Sequence, residues 1–191
     1  MPRGLVRWMV GAVLWWVGAG LPGVAQAEEL KVGQKAPAFF LPTYNPQKSG
    51  VDRFFLEHQV GPTAKTPRKA LVLSFFDIDC KPCRKELPFL QKLHDRYQKD
   101  GLGVAVVNCD SDKQKIEEVV KYVTEAGFTF PVLKDRFLVL ERKYGVTSFP
   151  TLFILDQNQV ILDIRVGYNE KEKPFPLDRI QTLLDVPKMK P

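Results

Sequence analysis

From residue 70 onwards, apolar positions alternate between continuous runs typical of buried strands and the three- and four-residue spacing typical of amphipathic helices. Residues 70–76 and 103–108 are almost wholly apolar, which predicts two strands buried on both faces. Between them, residues 81–99 place apolar side chains along one face and predict a helix that ends at Gly101. Pro88 falls inside this helix, where we expect it to introduce a kink.

The rest of the chain extends this alternation in both directions. Segments 151–155 and 160–166 are apolar and are separated only by a turn, which predicts an antiparallel hairpin. Upstream, a loop-rich stretch contains a short strand at 51–55 that can pair with 39–41. The other predicted elements are a helix capped by Asp112, a short strand near 130–132, a helix near 137–143 and a final helix near 176–184. This order predicts an α/β fold with a mixed sheet.

The first 27 residues have the three-part composition of a secretory signal peptide. Two arginines provide a positive start, a short apolar stretch follows, and Ala25-Gln26-Ala27 provides small residues for cleavage. We therefore expect residues 1–27 to be removed and residues 28–191 to form one domain. The alternative is an uncleaved membrane anchor from Leu5 to Val24, because signal peptides and anchors overlap in length.

The formal net charge of +6 falls to +4 once Arg3 and Arg7 are removed with the signal peptide. The remaining basic residues are scattered among acidic ones and are not interleaved with aromatic residues. This pattern favours a solvated surface over nucleic-acid binding. His58 and His94 lie in no motif, and we expect surface or packing roles for both.

The chain has three cysteines, Cys80, Cys83 and Cys109. Three cysteines cannot form a disulfide framework without a remainder, so a close pair with one odd thiol indicates chemistry more than structural crosslinking. A zinc site needs four ligands, and no second Cys or His pair occurs at ligand spacing. No metal or cofactor is therefore expected, and an inert disulfide remains the structural alternative.

Cys80 is predicted to lie where a buried strand has ended and a helix begins. The first N–H groups of a helix lack backbone partners and stabilise a thiolate, which is the attacking species in disulfide exchange. Pro82 suits the first helical turn, where its missing N–H is not needed. The two-residue spacing brings Cys83 back over Cys80. We expect Cys80 to be the nucleophile and Cys83 the resolving thiol.

Three segments carry signatures that occur together in one protein family. Residues 80–88, CKPCRKELP, match a CxxCxxExP pattern, and residues 33–42, GQKAPAFFLP, match a GxxAPxFxLP pattern. Residues 144–151, YGVTSFPT, match a stretch that carries a cis-proline. Over residues 31–185, the chain resembles the TlpA/ResA-like family of exported thioredoxin-fold thiol–disulfide oxidoreductases, which are related to AhpC/TSA proteins.

The resemblance implies a thioredoxin-like fold, with a central mixed sheet flanked by helices and an N-terminal β-hairpin extension. It also implies an inserted helix and strand after the second core strand, near residues 112–132. Pro150 would be cis and packed against the cysteine pair, with the backbone of Phe149 offered to a substrate strand. Lys81 and Pro82, between the two cysteines, complete the expected substrate-binding surface.

The chain departs from the family pattern at two positions. Asp79 stands where the family commonly has Trp, and Ser74 stands where thioredoxin has a buried Asp. The second change moves the proton-relay role to Glu86, which matches the family's acidic residue near the inner thiol. The alternative for Glu86 is a solvated helix carboxylate. Asp77 and Asp79 should disfavour the thiolate of the nucleophile, whereas Lys81 should favour it.

Cys109 directly follows a predicted strand and therefore lies at the carboxyl end of that strand. In open α/β sheets, this edge is where functional sites assemble. Cys109 is accordingly a candidate accessory thiol that could pair transiently with Cys80. The alternative is a small buried hydrophobic residue.

The function expected from these features is a monomeric, periplasmic or otherwise extracytoplasmic enzyme that reduces or exchanges disulfides of exported proteins. The family suggests delivery of electrons to exported cysteines, for instance in cytochrome c maturation, with an upstream membrane thiol reductant. A peroxiredoxin would need a Pro-x-x-x-Thr/Ser pattern before its reactive cysteine, and neither Cys80 nor Cys109 has one. The alternative from another class is a thioredoxin-fold copper chaperone, because two thiols can hold Cu(I).

Overall fold

The computed structural model describes residues 30–64, 67–169 and 175–187, so the expected signal peptide or anchor lies outside the described residues. The strands are β1 (Phe40–Pro42), β2 (Arg53–Phe55), β3 (Ala70–Phe76), β4 (Leu102–Asn108), β5 (Val132–Lys134), β6 (Thr151–Asp156) and β7 (Ile161–Val166). The helices are α1 (Pro46–Ser49), α2 (Leu56–Gln59), α3 (Lys81–Tyr97), α4 (Lys113–Ala126), α5 (Val139–Lys143) and α6 (Leu177–Leu184), with a 3-10 turn at Gln98–Asp100.

The central sheet has five strands in the order β5-β4-β3-β6-β7. Strands β3, β4 and β5 run parallel to one another, whereas β6 is antiparallel to β3 and β7 is antiparallel to β6. Every residue of β3 and of β4 is buried, as expected for strands covered on both faces. Because β3 is the central strand, the loop that follows it leaves from the middle of the sheet, at the end where the parallel strands terminate.

Two apolar cores lie on opposite faces of the sheet, because alternate residues of a strand point to opposite faces. The helix-side core joins Ala70, Val72 and Phe76 of β3 to Leu87 and Leu90 of α3, Val119 of α4 and Ile180 of α6. The hairpin-side core joins Leu71, Leu73 and Phe75 of β3 to Phe54, Leu56, Leu140 and Tyr144. The apolar face predicted for α3 is therefore the face that it buries.

The N-terminal segment contacts both edge strands of the sheet and contains a small hairpin. Strands β1 and β2 pair antiparallel, which confirms the predicted hairpin extension. Gly33 N–H donates to the carbonyl of Ile161 at 2.8 Å, at the start of the edge strand β7. At the other edge, Tyr44 N–H donates to the carbonyl of Val132 in β5 at 2.7 Å.

Most predicted elements are confirmed. The differences lie at element ends and in the stretch predicted to be loop-rich, which contains the short helices α1 and α2. Pro88 lies inside α3, which continues past it. The short strand predicted near 130–132 lies instead at Val132–Lys134. The helix predicted from residue 137 begins at Val139, because Leu138 adopts a left-handed conformation with a φ of 54°. Among the described residues, no helix combines the length and apolar character needed to cross a membrane.

Candidate active site

The cysteine pair lies at the junction between β3 and α3. Cys80 is the N-cap residue of α3 and forms a disulfide with Cys83, with a Cα–Cα distance of 5.3 Å. The backbone N–H of Cys83 points at Cys80 Sγ, 3.1 Å away. One of the free donors of the helix N-terminus is thus directed at this sulfur, which is where a thiolate would gain stabilisation after reduction.

The two sulfurs differ in their access to solvent. Cys80 is half-buried, whereas Cys83 is fully buried within the helix-side core. The two residues between them, Lys81 and Pro82, are exposed, and Pro82 occupies the first helical turn as its sequence position predicts. An incoming disulfide can therefore approach Cys80 across this exposed turn, while Cys83 has no exposed surface.

The Phe149–Pro150 peptide bond is cis and lies just before β6. Thr151, the first residue of β6, pairs with Phe75 near the end of β3, so both strands bring their site residues to the same sheet edge. Pro150 is buried, whereas Phe149 is half-buried and packs against the helix-side core, as Cys80 does. The cis-proline turn and the cysteine turn therefore lie at the same end of the sheet, where β3 ends and β6 begins.

Glu86 is a buried carboxyl group on the same face of α3 as Cys83. It lies three residues after Cys83, so the two side chains are neighbours on the helix surface. Glu86 is only 3% exposed, which excludes the solvated-carboxylate alternative. Burial raises its pKa to about 7, and a hydrogen bond from the Ser74 hydroxyl partly opposes this rise. Ser74 lies on the face of β3 that packs against α3.

Cys109 lies at the carboxyl end of β4, as its sequence position predicts, but it faces away from the redox pair. It belongs to the hairpin-side core and is 8% exposed, whereas Cys83 belongs to the helix-side core. Burial raises the pKa of the Cys109 thiol, and the nearby carboxylates Glu141 and Asp135 raise it further. A neutral, enclosed thiol on the other face of the sheet fits the packing alternative.

The loop 77–79, between β3 and α3, is held by contacts that the sequence analysis does not predict. Asp110 Oδ2 accepts hydrogen bonds from Ile78 N–H at 2.8 Å and from Asn108 Nδ2 at 2.7 Å. Lys115 Nζ lies 2.6 Å from Asp79 Oδ2. No spacing rule connects these positions, although Asp110 shares with Cys109 the signal of following a buried strand directly.

The described part of the chain was also compared with the ligand sets that hold metal ions. There, no group of three or more His, Cys, Asp or Glu side chains is arranged to hold an ion. His94 is buried and packs edge-on against Phe130, and His58 stacks on Phe55. His94 therefore has a packing role and the exposed His58 a surface role, as expected.

Comparison with known proteins agrees with this architecture. Residues 32–164 match the model of the AhpC/TSA family. Thioredoxin-like protein YneN of Bacillus subtilis (strain 168) is 33% identical over 175 residues, covering 88% of this chain and 95% of the relative. Thiol-disulfide oxidoreductase ResA of Bacillus thuringiensis (strain Al Hakam) is 29% identical over 149 residues, covering 78% of each chain.

The fold also has counterparts among solved structures. A crystal structure described as thiol:disulfide interchange protein DsbE from Chlorobium tepidum superposes with a TM-score of 0.69 at 27% identity. The match covers 82% of this chain and 99% of that one. StoA from Bacillus subtilis superposes with a TM-score of 0.58 at 21% identity, covering 77% of this chain and 96% of that one. These likenesses agree with the thioredoxin-like arrangement of the central sheet.

Proposed function

The chain belongs to the AhpC/TSA family, and we propose that it is a thiol–disulfide oxidoreductase acting on proteins that carry thiols or disulfides. The observation that carries the proposal is the asymmetry of the cysteine pair at the start of α3. Cys80 is accessible and receives a helix N–H, whereas Cys83 is sealed in the core behind it. Relatives named thiol-disulfide oxidoreductases support the same activity.

The proposed reaction transfers two electrons from the reduced pair to a substrate disulfide. The Cys80 thiolate attacks one substrate sulfur, which forms a mixed disulfide and releases the other substrate sulfur as a thiolate. The Cys83 thiolate then attacks Cys80 Sγ, which forms the Cys80–Cys83 disulfide and releases the second substrate thiolate. The substrate is reduced to a dithiol, and a separate dithiol reductant must reduce the pair again.

Glu86 supplies a proton acceptor for the second step of this reaction. Burial disfavours ionisation of Cys83, because a thiolate in an apolar core is poorly solvated. A carboxyl group on the same helix face with a pKa of about 7 can accept the Cys83 proton near neutral pH. The proton then leaves with the substrate thiols or returns to solvent.

We further propose that the protein works outside the cytoplasm on exported proteins, in the direction of reduction or exchange. The signal-peptide composition of residues 1–27 supports export. An oxidising compartment keeps an exposed pair oxidised unless a dedicated reductant acts on it, so an upstream membrane thiol reductant is part of the proposal. Phe149, Lys81 and Pro82 form the proposed substrate surface beside Cys80.

Equilibration of the purified protein with defined thiol–disulfide buffers tests the activity and its direction. Alkylation followed by mass measurement reads the state of Cys80 and Cys83. A single two-electron couple near or below about −220 mV supports reduction or exchange, whereas a couple near about −120 mV indicates an oxidant and contradicts the proposed direction. Absence of a reversible couple would contradict the oxidoreductase function itself.

A trapping experiment tests the order of the two thiols. Cys83→Ser should accumulate a mixed disulfide with a disulfide-bearing peptide, because no resolving thiol remains to release it. Cys80→Ser, with its accessible thiol removed, should form no such adduct. Equal trapping by the two variants would contradict the assigned roles.

A further inference from the structure

The loop 77–79 that leads into Cys80 makes two contacts with residues outside α3. One contact is buried: the backbone N–H of Ile78 donates to Asp110 Oδ2, and Asp110 is only 4% exposed. The other contact is at the surface: the carboxylate of Asp79, directly before Cys80, pairs with the ammonium of Lys115 on α4. Asp110 lies in the connection between β4 and α4, and Lys115 lies in the first turn of α4, so this part of the chain holds the approach to the nucleophile.

Lys115 faces a concentration of negative charge. The carboxylate of Asp79 accepts its hydrogen bond, and Asp110 and Asp77 lie close enough to raise the pKa of the lysine further. Three carboxylates therefore lie in or beside the loop that leads into Cys80, and the positive charge of Lys115 interacts favourably with all of them. Without a counter-charge, these carboxylates would disfavour a thiolate on the adjacent residue.

Two cations of α3 also lie near this loop. Arg84 Nε donates to the carbonyl of Ile78 at 3.3 Å, and the guanidinium of Arg84 lies over the ring of Tyr122, 5.4 Å from its centroid. Lys81 is exposed beside Cys80. Within residues 30–64, 67–169 and 175–187, Asp79 forms its ion pair with Lys115.

We propose that Lys115 is a positioning residue for Cys80, acting through its ion pair with Asp79. The pair holds the outer side of loop 77–79 against α4 and offsets the negative charge beside the Cys80 sulfur. The reduced pair then carries more thiolate, and its reduction potential is higher than it would be with Asp79 unpaired. This inference rests on the proposed function, because it concerns the reactivity of the same cysteine.

The test compares charge-removing and charge-keeping variants of the full chain. Lys115→Met removes the ammonium and keeps an unbranched side chain, and Lys115→Arg keeps a cation. Lys121→Met is the matched control, because Lys121 lies on the same helix in an exposed pair with Glu125, away from Cys80. Asp79→Asn, alone and combined with Lys115→Met, tests whether the effect passes through Asp79.

Lys115→Met should raise the pKa of Cys80 by about 0.5 and slow its alkylation about three-fold at a pH below that pKa. The reduction potential of the pair should become more negative, while Lys115→Arg and Lys121→Met remain near wild type. In the Asp79→Asn background, Lys115→Met should have a clearly smaller effect, because only the weaker interactions of Lys115 with Asp110 and Asp77 remain to be lost. The thermal unfolding midpoint should stay unchanged, because exposed ion pairs contribute little to stability.

Equal potentials and Cys80 pKa values for Lys115→Met and Lys121→Met would overturn this inference and leave the proposed function standing. An undiminished effect of Lys115→Met in the Asp79→Asn background would also overturn it, because Lys115 would then act without Asp79. A wild-type chain with no reversible couple would instead overturn the proposed function, and this inference with it.

Discussion

The hydroxyl of Ser74 lies 2.6 Å from a carboxylate oxygen of Glu86, and this contact joins the central strand β3 to the helix that carries both cysteines. Both residues are buried, at 0% and 3% exposure. The hydrogen bond favours the charged carboxylate, whereas burial favours the neutral acid and is the larger effect. Glu86 is therefore a group that changes charge near neutral pH inside the core, next to the resolving thiol.

Glu86→Gln should remove a pH dependence from the stability of the protein. The pKa of Glu86 is raised from 4.5 to about 7 on folding, so the native state binds more protons than the unfolded state between these values. Stability should therefore fall by up to about 3 kcal/mol as the pH rises from about 4.5 to about 7, and then level off. Urea unfolding at a series of pH values measures this loss.

The Glu86→Gln variant keeps the shape of the side chain and does not titrate, so its stability should be flat across this window apart from contributions shared with wild type. A parallel decline in both proteins would show that other groups cause the pH dependence.

Ser74→Ala should raise the pKa of Glu86 above about 7, because it removes the hydrogen bond that favours the carboxylate. The pH above which Cys83 resolves the mixed disulfide rapidly should rise together with this pKa. Stopped-flow measurement of mixed-disulfide resolution against pH reads this shift. In the Glu86→Gln background, Ser74→Ala should leave the pH profile where it was, and a shift there would contradict the assignment to Glu86.

Cys109 should resist alkylation in the folded, reduced protein. It is 8% exposed and its pKa is raised by burial, so little thiolate is accessible to reagent. Brief treatment with iodoacetamide should label Cys80 first, and Cys109 should be labelled only after denaturation. Mass mapping of the labelled peptides measures the order. Cys109→Ala should preserve the reduction potential of the pair, and a large change would restore Cys109 as an accessory thiol.

Asp110→Ala should destabilise the protein by about 1–3 kcal/mol, because it leaves the buried N–H of Ile78 and the amide of Asn108 without their acceptor. Asp110→Asn keeps a carbonyl oxygen that can accept the same bonds, so its cost should be smaller. Chemical denaturation of both variants measures the difference. An equal or larger loss in Asp110→Asn would mean that the negative charge, rather than the acceptor, matters.

The sequence predicts the sheet and the cysteine site well, because both depend on local patterns. The apolar run at 70–76 coincides with β3, and the position of Cys80 at the start of a helix follows from its neighbours. The late start of α5 was not predictable, since Leu138 adopts a backbone conformation that leucine seldom takes. Here, contacts of Asp135 with Val139 and Glu141 N–H groups fix the helix start.

Relationships across the fold are harder to obtain from one sequence. The buried carboxylate of Glu86 accepts a hydrogen bond from Ser74, which lies 12 residues earlier, on strand β3. The pairing of Asp79 with Lys115 likewise requires the packing of α4 beside the active-site loop. The face occupied by Cys109 follows from strand alternation once β4 is placed, since alternate side chains point to opposite faces.

The path of the N-terminal segment has a consequence for how one molecule meets another. Outer strands of a sheet carry unpaired peptide groups that can recruit a strand from a neighbouring chain. Here Gly33 and Gln34 bond to Ile161 on one side, and Tyr44 and Asn45 bond to Val132 on the other. One continuous piece of chain thus occupies backbone groups at the start of β7 and at the start of β5, so part of each margin is not free to recruit a neighbouring strand. A version trimmed to the bare thioredoxin-like core would lose that protection on both margins at once.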